Sequence, residues 1–264
     1  MLEVMHVKRY SCIINGMSGH SHYATIKRQK ATKDAAKGKI FSRHSKAISL
    51  AIKAGGGANP EMNSKLRFAI DQAKADNMPR TNIDRILSRA DVVGNIEEVN
   101  YEGYGPDGIA IVVQAATDNK NRTSQEIKNI FERGGGSMGG PGSVLFNFEQ
   151  KGLVVVKKSV SDLESQMLSL IDLGVDDVNE TGDIIEVYTP YDSLSEIKDK
   201  IALNGMEILS FEITMKSKTF ITITDPVKAR KIINLLDSLE EHDDVQNVYS
   251  NLDIPPEIAG SLNI

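Results

Sequence analysis

The chain has 264 residues and a mass of 28.9 kDa, which is enough for one to three domains with cores of their own. Its composition is that of a globular protein, with 40% hydrophobic residues, 25% charged residues and a formal net charge of −5. No apolar run approaches the roughly 18 residues that a transmembrane helix needs, and the single cysteine, Cys12, allows no internal disulfide. We therefore expect a soluble cytoplasmic protein with no membrane partner.

The first segment, residues 1–16, is expected to be a tail that takes no part in the fold. It is too short and too polar for a secretory signal, and it lacks the Arg and Ser bias of a transit peptide. An upstream start codon, with translation beginning at Met17, would also explain it.

Charge divides the remaining chain into a basic and an acidic part. Residues 17–93 contain 15 Lys and Arg against 6 Asp and Glu, a net charge of +9. Residues 94–264 contain 14 Lys and Arg against 29 Asp and Glu, a net charge of −15. Such asymmetry is typical of a basic domain that binds nucleic acid or a membrane surface. Because the acidic part would repel a phosphate backbone, we expect the two parts to have different roles.

A long helix is predicted at 33–54. Its apolar residues recur with the helical period, and three glycines, Gly55 to Gly57, favour its end. Its cations fall on a separate arc, and we define the basic stripe as Lys39, Arg43, Lys46 and Lys53. We predict that the stripe binds phosphates together with the upstream cations Lys27, Arg28, Lys30 and Lys33. A solvated helix face is the alternative, although such faces usually mix both signs of charge.

Two further helices complete a predicted helical domain at 17–93. Asn59 and Pro60 are typical of a helix start, and apolar residues from Met62 to Ala73 follow at helical spacing. Pro79 separates this helix from the next, whose predicted buried face consists of Ile83, Ile86, Leu87 and Ala90. Three arginines of the last helix are either a second contact face or simply exposed: Arg80, Arg85 and Arg89.

Beyond Val93 the pattern indicates alternating strands and helices. Strands at 153–156, 175–179, 184–188 and 207–213, with helices at 162–173 and 193–203, give the ferredoxin-like order β-α-β-β-α-β. Strands at 109–114, 143–148, 220–224 and 245–249 flank this unit, with helices at 123–131 and 227–239. A capping box, Thr123 and Glu126, is expected to open the first flanking helix.

The predicted fold class is therefore α+β. It consists of an N-terminal helical bundle (17–93) plus two nested ferredoxin-like α/β domains. One α/β domain is discontinuous (94–150 and 217–264) and the other is inserted into it (151–216).

Two glycine-rich segments could suggest nucleotide binding. Residues 103–108 match G-x-G-x-x-G, but a strand follows them where the dinucleotide motif requires a helix N-terminus. We therefore predict a hairpin turn there. Residues 134–142 lack the Lys and Ser or Thr of a phosphate-binding loop, so we predict a connector.

Neither catalysis nor metal binding is predicted. The sequence offers no nucleophile, base and orienting residue at a supporting spacing, so we expect no catalytic residues, no enzyme activity and no cofactor. Residues 240–244 are acidic and could hold a hard metal ion, but we expect a solvated helix end. A chain that began at Ser18 could bind Cu²⁺ or Ni²⁺ through its amine, two amides and His20.

Short motifs along most of the chain resemble those of the YebC/PmpR family. They are Ser18-Gly19-His20-Ser21, Lys37-Gly38-Lys39-Ile40-Phe41, Gly55-Gly56-Gly57 with Asn59-Pro60, Ala75-Asp76-Asn77-Met78-Pro79, Tyr101-Glu102-Gly103-Tyr104-Gly105-Pro106, Thr117-Asp118-Asn119-Lys120-Asn121-Arg122-Thr123 and Asp243-Asp244-Val245-Gln246-Asn247-Val248-Tyr249. The resemblance covers about 17–253 and implies a three-domain α plus α/β architecture. It departs at Ser21-His22-Tyr23, where the family has Ser-Lys-Trp, so no role is carried over to those positions.

The resemblance also implies a role in gene expression. Members include DNA-binding transcriptional regulators and ribosome-associated translation factors that help ribosomes through proline runs, and the mitochondrial relative activates translation of cytochrome c oxidase. We expect a non-enzymatic regulator that binds rRNA or the ribosome, because the basic domain offers phosphate contacts without an obvious base-reading helix. The alternative is a transcriptional regulator of duplex DNA, which needs base contacts and usually symmetric dimers. The acidic α/β domains are expected to bind a protein partner, if they bind one at all.

Overall fold

Within the part of the chain that the structure describes, three helices form a bundle with one shared core. The computed structural model describes residues 35–89, 96–159 and 162–261. The helices are α1 (Ala35–Ala54), α2 (Ser64–Ala75) and α3 (Arg80–Ser88). Their apolar faces meet in a single core: Ile48, Ala51, Ile52, Leu66, Ala69, Ile70, Ala73, Met78 and Ile83. The predicted end of α1 is confirmed, since Gly57 N donates to Ile52 O at 3.1 Å and Gly56 has a φ of 79°.

The start of α2 differs from the prediction. Asn63, and not Asn59, is the N-cap: its side-chain oxygen accepts from Leu66 N at 3.0 Å. The side-chain amide of Asn63 also donates to Ala51 O at 2.8 Å and to Gly57 O at 2.9 Å, so one buried side chain satisfies the end of α1 and the start of α2. Met62, predicted to lie on the buried face, precedes the helix and is 85% exposed.

The rest of the described chain alternates strands and helices. The strands are β1 (Glu97–Tyr104), β2 (Ala110–Thr117), β3 (Ser137–Met138), β4 (Phe148–Lys157), β5 (Asp177–Thr181), β6 (Ile184–Pro190), β7 (Ile208–Ser217), β8 (Ile221–Thr222), β9 (Val245–Ser250) and β10 (Leu252–Asp253). The helices are α4 (Lys120–Arg133), α5 (Leu163–Ile171), α6 (Leu194–Leu203), α7 (Pro226–Glu240) and α8 (Pro256–Ser261). The mixed α+β class predicted from the sequence is confirmed.

One four-stranded sheet has the predicted ferredoxin-like arrangement. Its strand order is β5-β6-β4-β7, all neighbours are antiparallel, and the chain order β4-α5-β5-β6-α6-β7 matches the prediction. The hairpin between β5 and β6 turns at Gly182, which has a φ of 58°. The apolar faces of α5 and α6 cover one side of this sheet, with Leu170, Ile197 and Ile201 buried among its strands.

The second sheet is built differently from the prediction. Its order is β3-β1-β2-β9, again antiparallel. β1 is not among the predicted strands. The strand predicted at 220–224 does not belong to this sheet, because the short β8 found there pairs with β10 outside it. The predicted hairpin turn at 103–108 is confirmed: β1 and β2 are paired, and Gly105 N donates to Ile109 O at 2.7 Å. We call the unit of this sheet with α4 and α7 the outer unit.

The glycine-rich loop at 134–142 is held by a buried carboxylate of β1. Glu102, 4% exposed, accepts hydrogen bonds from Gly142 N at 2.6 Å and from Val144 N and Leu145 N at 2.8 Å. Burial raises the pKa of Glu102, but these backbone donors outweigh it and the net pKa is lowered. The strand predicted at 143–148 is wrong, because residues 145–147 form a 3-10 turn and Phe148 already begins β4.

Gly103 of β1 lies where no side chain fits, and substitution there should weaken the outer unit. A Cβ at Gly103 would lie 2.6 Å from Ser137 O and 2.8 Å from the Phe131 ring. We expect Gly103→Ala to lower the free energy of unfolding by about 1–3 kcal/mol, because the backbone of β3 or the buried ring must shift. Urea denaturation measures this change.

The control for this prediction is Gly38→Ala. Gly38 is exposed within α1, and a Cβ there meets nothing within 4 Å. This variant should gain about 0.5–1 kcal/mol, since alanine is the better helix former. If Gly103→Ala were as stable as Gly38→Ala, the close approach of β1 and β3 would be wrong.

Candidate nucleic-acid interface

The upstream cations of the predicted interface lie outside the described residues. These are Lys27, Arg28, Lys30 and Lys33; the same holds for the copper or nickel motif at Ser18 to His20. The basic stripe lies within α1, and the structure places all four of its members. They do not all face solvent: Lys39, Arg43 and Lys46 are partly buried, and only Lys53 is exposed.

The stripe faces the segment between α7 and β9, and we call residues 240–244 the acidic turn. The turn contains Glu240, Glu241, His242, Asp243 and Asp244. Lys46 Nζ donates to Asp244 Oδ1 at 2.8 Å and to Asp243 O at 2.9 Å. The expectation that this turn is a solvated helix end is therefore wrong for Asp244, which is 7% exposed.

Asp244 is the centre of a charged network that joins α1 to α4. Its Oδ2 accepts from Arg122 Nη2 at 2.8 Å and from Thr123 Oγ1 at 2.7 Å. Burial raises the pKa of Asp244, but the hydrogen bonds from Lys46, Thr123 and Arg122 outweigh it and hold the net pKa well below that of an ordinary aspartate. The carboxylate therefore stays ionised and saturated with donors.

The start of α4 explains how Thr123 reaches this network. Asn119, and not Thr123, caps the helix by accepting from Arg122 N at 3.1 Å. Thr123 lies one turn inside α4, fully buried, and its hydroxyl also lies 2.8 Å from the hydroxyl of Thr117 at the end of β2. The predicted capping box with Glu126 is therefore wrong.

His242 holds the acidic turn in shape. Its Nδ1 accepts from Asp244 N at 3.1 Å, and its Nε2 lies 2.8 Å from Glu126 Oε2. Glu126, His242 and Asp244 could in principle share a metal ion, since one ligand atom of each lies within 4.8 Å of the others. Each of these three groups already has hydrogen-bond partners, and together these bonds fix the loop before β9.

Arg43 and Lys39 complete the contact between the stripe and the acidic turn. Arg43 Nη2 donates to Glu240 O at 2.7 Å, a carbonyl of the last turn of α7, where the helix dipole favours a cation. Burial lowers the pKa of the Arg43 guanidinium, and the charge of Glu240 opposes this. Burial and Arg43 likewise lower the pKa of Lys39, against the attraction of Glu241, Asp243 and Glu240. Lys53, in the last turn of α1, donates to Ile96 O at 3.3 Å.

The helical bundle also touches the inserted sheet. Phe68 of α2 and Phe211 of β7 pack edge to face with ring centroids 5.6 Å apart, and Gln72 Nε2 donates to Phe211 O at 3.2 Å. A cleft of about 960 Å³ separates the bundle from the two sheets between these contacts. The charged residues that line it are Arg43, Lys53, Lys65 and Lys216 together with Asp76, Glu97, Glu98, Glu186, Glu212 and Glu240. This mixture gives the cleft no cationic surplus for a phosphate backbone.

Other cations of the bundle are exposed on its surface. Arg67, Arg85 and Arg89 are exposed and form no ion pair with any described residue, whereas Arg80 pairs with Asp84 at 3.8 Å. The bundle therefore presents positive charge beyond α1. Across the described residues, no helix has the length and apolar character needed to cross a membrane.

The fold and this interface define a class of protein in which a basic helical bundle is held by an ion pair to one α/β unit and by an aromatic contact to another. A family model described as the TACO1/YebC protein N-terminal domain matches residues 21–92, and one described as the TACO1/YebC second and third domain matches residues 96–252. The chain therefore belongs to the TACO1/YebC family, which confirms the resemblance drawn from its motifs.

Curated relatives and a crystal structure agree with this assignment. A probable transcriptional regulatory protein of Dictyoglomus thermophilum is 46% identical over 94% of this chain and 100% of its own length. One of Methylacidiphilum infernorum is 42% identical over 92% of this chain and 98% of its own length. The crystal structure of a conserved hypothetical protein from Aquifex aeolicus, 40% identical, superposes with a TM-score of 0.80 over 87% of this chain and 95% of that chain.

Because a network of hydrogen bonds surrounds Asp244, neutralising this carboxylate should lower the stability of the protein. We expect Asp244→Asn to lower the free energy of unfolding at pH 7 by about 1.5–3 kcal/mol, because charge-assisted hydrogen bonds to Lys46 and Arg122 are lost. The stability from Asp244 is fully present above the ordinary aspartate pKa of 3.8 and is lost as the pH falls towards its lowered folded pKa. The difference from the wild type should therefore shrink below about pH 4.

Denaturant titrations at several pH values measure this difference. Asp243→Asn is the matched control, since the Asp243 side chain is exposed and only its backbone carbonyl binds Lys46. The control should change little at any pH. A difference for Asp244→Asn that stayed constant down to pH 2 would contradict the assigned role of the carboxylate.

Proposed function

We propose that this protein is a non-enzymatic regulator of gene expression that binds the phosphate backbone of a nucleic acid through its helical domain. The observation that carries the proposal is the division of charge, with +9 on residues 17–93 and −15 on residues 94–264. The names of the curated relatives, which are probable transcriptional regulatory proteins, support a role in gene expression.

The proposed contact surface is the basic stripe with the upstream cations Lys27, Arg28, Lys30 and Lys33. The exposed arginines Arg67, Arg85 and Arg89 extend positive charge over the rest of the bundle. Contacts of this kind position a nucleic acid without reading its sequence, so we expect weak dependence on base sequence. In this proposal the acidic α/β units bind a protein partner or have an architectural role.

RNA on the ribosome is the target we favour, in the cytoplasm. Such a target needs phosphate contacts and shape recognition, which a basic helical bundle can supply without a groove-reading helix. α3 has nine residues, and its arginines that form no ion pair with a described residue, Arg85 and Arg89, lie in and after its last turn. Recognition helices usually contact bases through their N-terminal residues. Duplex DNA is the second candidate, and the name shared by the curated relatives is what supports it.

Binding should depend on the stripe cations that lie outside the Asp244 network. We expect the double variant Lys39→Gln and Lys53→Gln to bind every tested RNA and DNA more weakly. Each lost phosphate contact should also flatten the log-log salt dependence of the association constant by about 0.7–0.9. Fluorescence anisotropy across a salt series, with circular dichroism to confirm helicity, measures both effects.

The matched control removes two cations of the inserted unit. Lys157→Gln and Lys200→Gln change the net charge equally, and both lysines are exposed on the surface. This control should leave the salt slope unchanged. Equal slopes in both double variants would move the contact away from α1, with Arg85 and Arg89 as the next residues to change.

Ribosome binding can be separated from DNA binding at a single ionic strength. At about 0.15 M salt, where exposed charges more than about 8 Å apart are largely screened, the protein should sediment with ribosomes more completely than it binds duplex DNA. A preference for duplex DNA, confined to one sequence, would instead favour the transcriptional candidate.

A further inference from the structure

We propose that the acidic turn is an intramolecular competitor that masks Arg43 and Lys46, so that nucleic acid binds the whole basic stripe only after the turn has been displaced. The inference rests on the proposed function, since it concerns the regulation of the same surface. It assigns the acidic turn a role as a stand-in for the phosphate backbone.

The turn masks the stripe because it occupies donor atoms that a phosphate would also bind. Lys46 Nζ donates two of its three hydrogens, one to Asp244 Oδ1 and one to Asp243 O. Arg43 Nη2 donates to Glu240 O. The negative charges of Glu240, Glu241 and Asp243 attract Lys39. A phosphate oxygen that approached these cations would have to take the places that the turn occupies.

Separating the acidic turn from the basic stripe requires little free energy, because Asp244 keeps its other hydrogen-bond partners. When Lys46 leaves, Asp244 Oδ2 retains Arg122 and Thr123, both from α4 of the same outer unit. The Lys46 side chain is 22% exposed, so water already reaches it. Glu240 O belongs to the last turn of α7, where water commonly replaces a side-chain donor. No buried charge is left without a partner on the turn.

The contact between α1 and the acidic turn is also polar and open. Arg43 Nε and Gln246 Nε2 are buried without a hydrogen-bond partner among the described residues, and both residues line the cleft of about 960 Å³. The buried core of the bundle and that of the outer unit share no residue. Polar contacts between units of one chain usually permit relative motion, and this one relies on charges that a nucleic acid can replace.

The consequence is a reduced apparent affinity. If only a fraction of molecules has the turn displaced, the apparent dissociation constant rises by the inverse of that fraction. Weakening the turn therefore tightens binding without adding any contact to the nucleic acid. The opposite arrangement, in which docking orients the stripe for binding, would make the same change weaken binding.

The first test is made in the full chain. It neutralises the three acids of the turn whose charges attract Lys39 and Arg43, and it leaves the Asp244 network intact. The variant carries Glu240→Gln, Glu241→Gln and Asp243→Asn. Its control carries Glu164→Gln, Asp183→Asn and Asp192→Asn, three exposed acids of the inserted unit, and so has the same net charge. Single-stranded RNA of mixed sequence is the probe, at about 0.15 M salt.

We expect the turn variant to bind the RNA about fivefold or more tightly than the control, within the range usual for coupling between sites. Affinities equal to the control would overturn the inference, as would weaker binding by the turn variant. Circular dichroism and thermal unfolding confirm that both triple variants are folded.

The second test neutralises the carboxylate that Lys46 contacts. Asp244→Asn in the full chain should bind the RNA more tightly than Asp177→Asn, which neutralises the mostly buried partner of Lys216 in the inserted unit. Circular dichroism confirms that both variants are folded. Equal or weaker binding by Asp244→Asn would refute the masking of Lys46.

The two proposals fail in different ways. If Lys39→Gln with Lys53→Gln leaves RNA binding and its salt slope unchanged, the stripe is not the contact surface and the proposed function fails. If that variant loses binding while the turn variant behaves like its control, the stripe binds RNA and only the masking is wrong.

Discussion

The arrangement of this molecule depends on one carboxylate, Asp244. Its two carboxylate oxygens accept hydrogen bonds from an ammonium of α1 and from a guanidinium and a hydroxyl of α4. Its backbone carbonyl accepts from Ala116 N of β2 at 2.8 Å. Three separate stretches of sequence therefore meet at one residue between α7 and β9. An ionised aspartate that is 7% exposed is tolerable only with such a set of donors, so the residues around it constrain each other.

Much of the fold was predictable because the relevant signals are local. The end of α1 at its glycines, the hairpin at 103–108 and the ferredoxin-like order of the inserted unit follow from turn residues and hydrophobic period. β1 was missed because its sequence, with Glu97, Glu98 and Asn100 among its first residues, reads as polar. Its place in the sheet comes from pairing with β2 and from Glu102, whose carboxylate serves a loop 40 residues away.

The basic stripe shows the limit of periodicity as evidence about a site. Helical spacing correctly put Lys39, Arg43, Lys46 and Lys53 on one arc apart from the core, but it could not say what that arc faces. A signal was present in the opposite charges of the two parts of the chain, since a +9 segment and a −15 segment joined covalently attract each other. The run of acids at 240–244 was the natural place for that attraction to act.

The nested connectivity has a consequence for the order of assembly during synthesis. β4 to β7 form one contiguous stretch, so the inserted sheet can pair as soon as residue 217 has left the ribosome. β2 can pair with β1 early, but its pairing with β9 must wait, because Ile111 pairs with Ser250 and closing so long a loop is slow. Asp244 is made just before that pairing. The helical bundle, although synthesised first, is therefore the last part of the protein to dock.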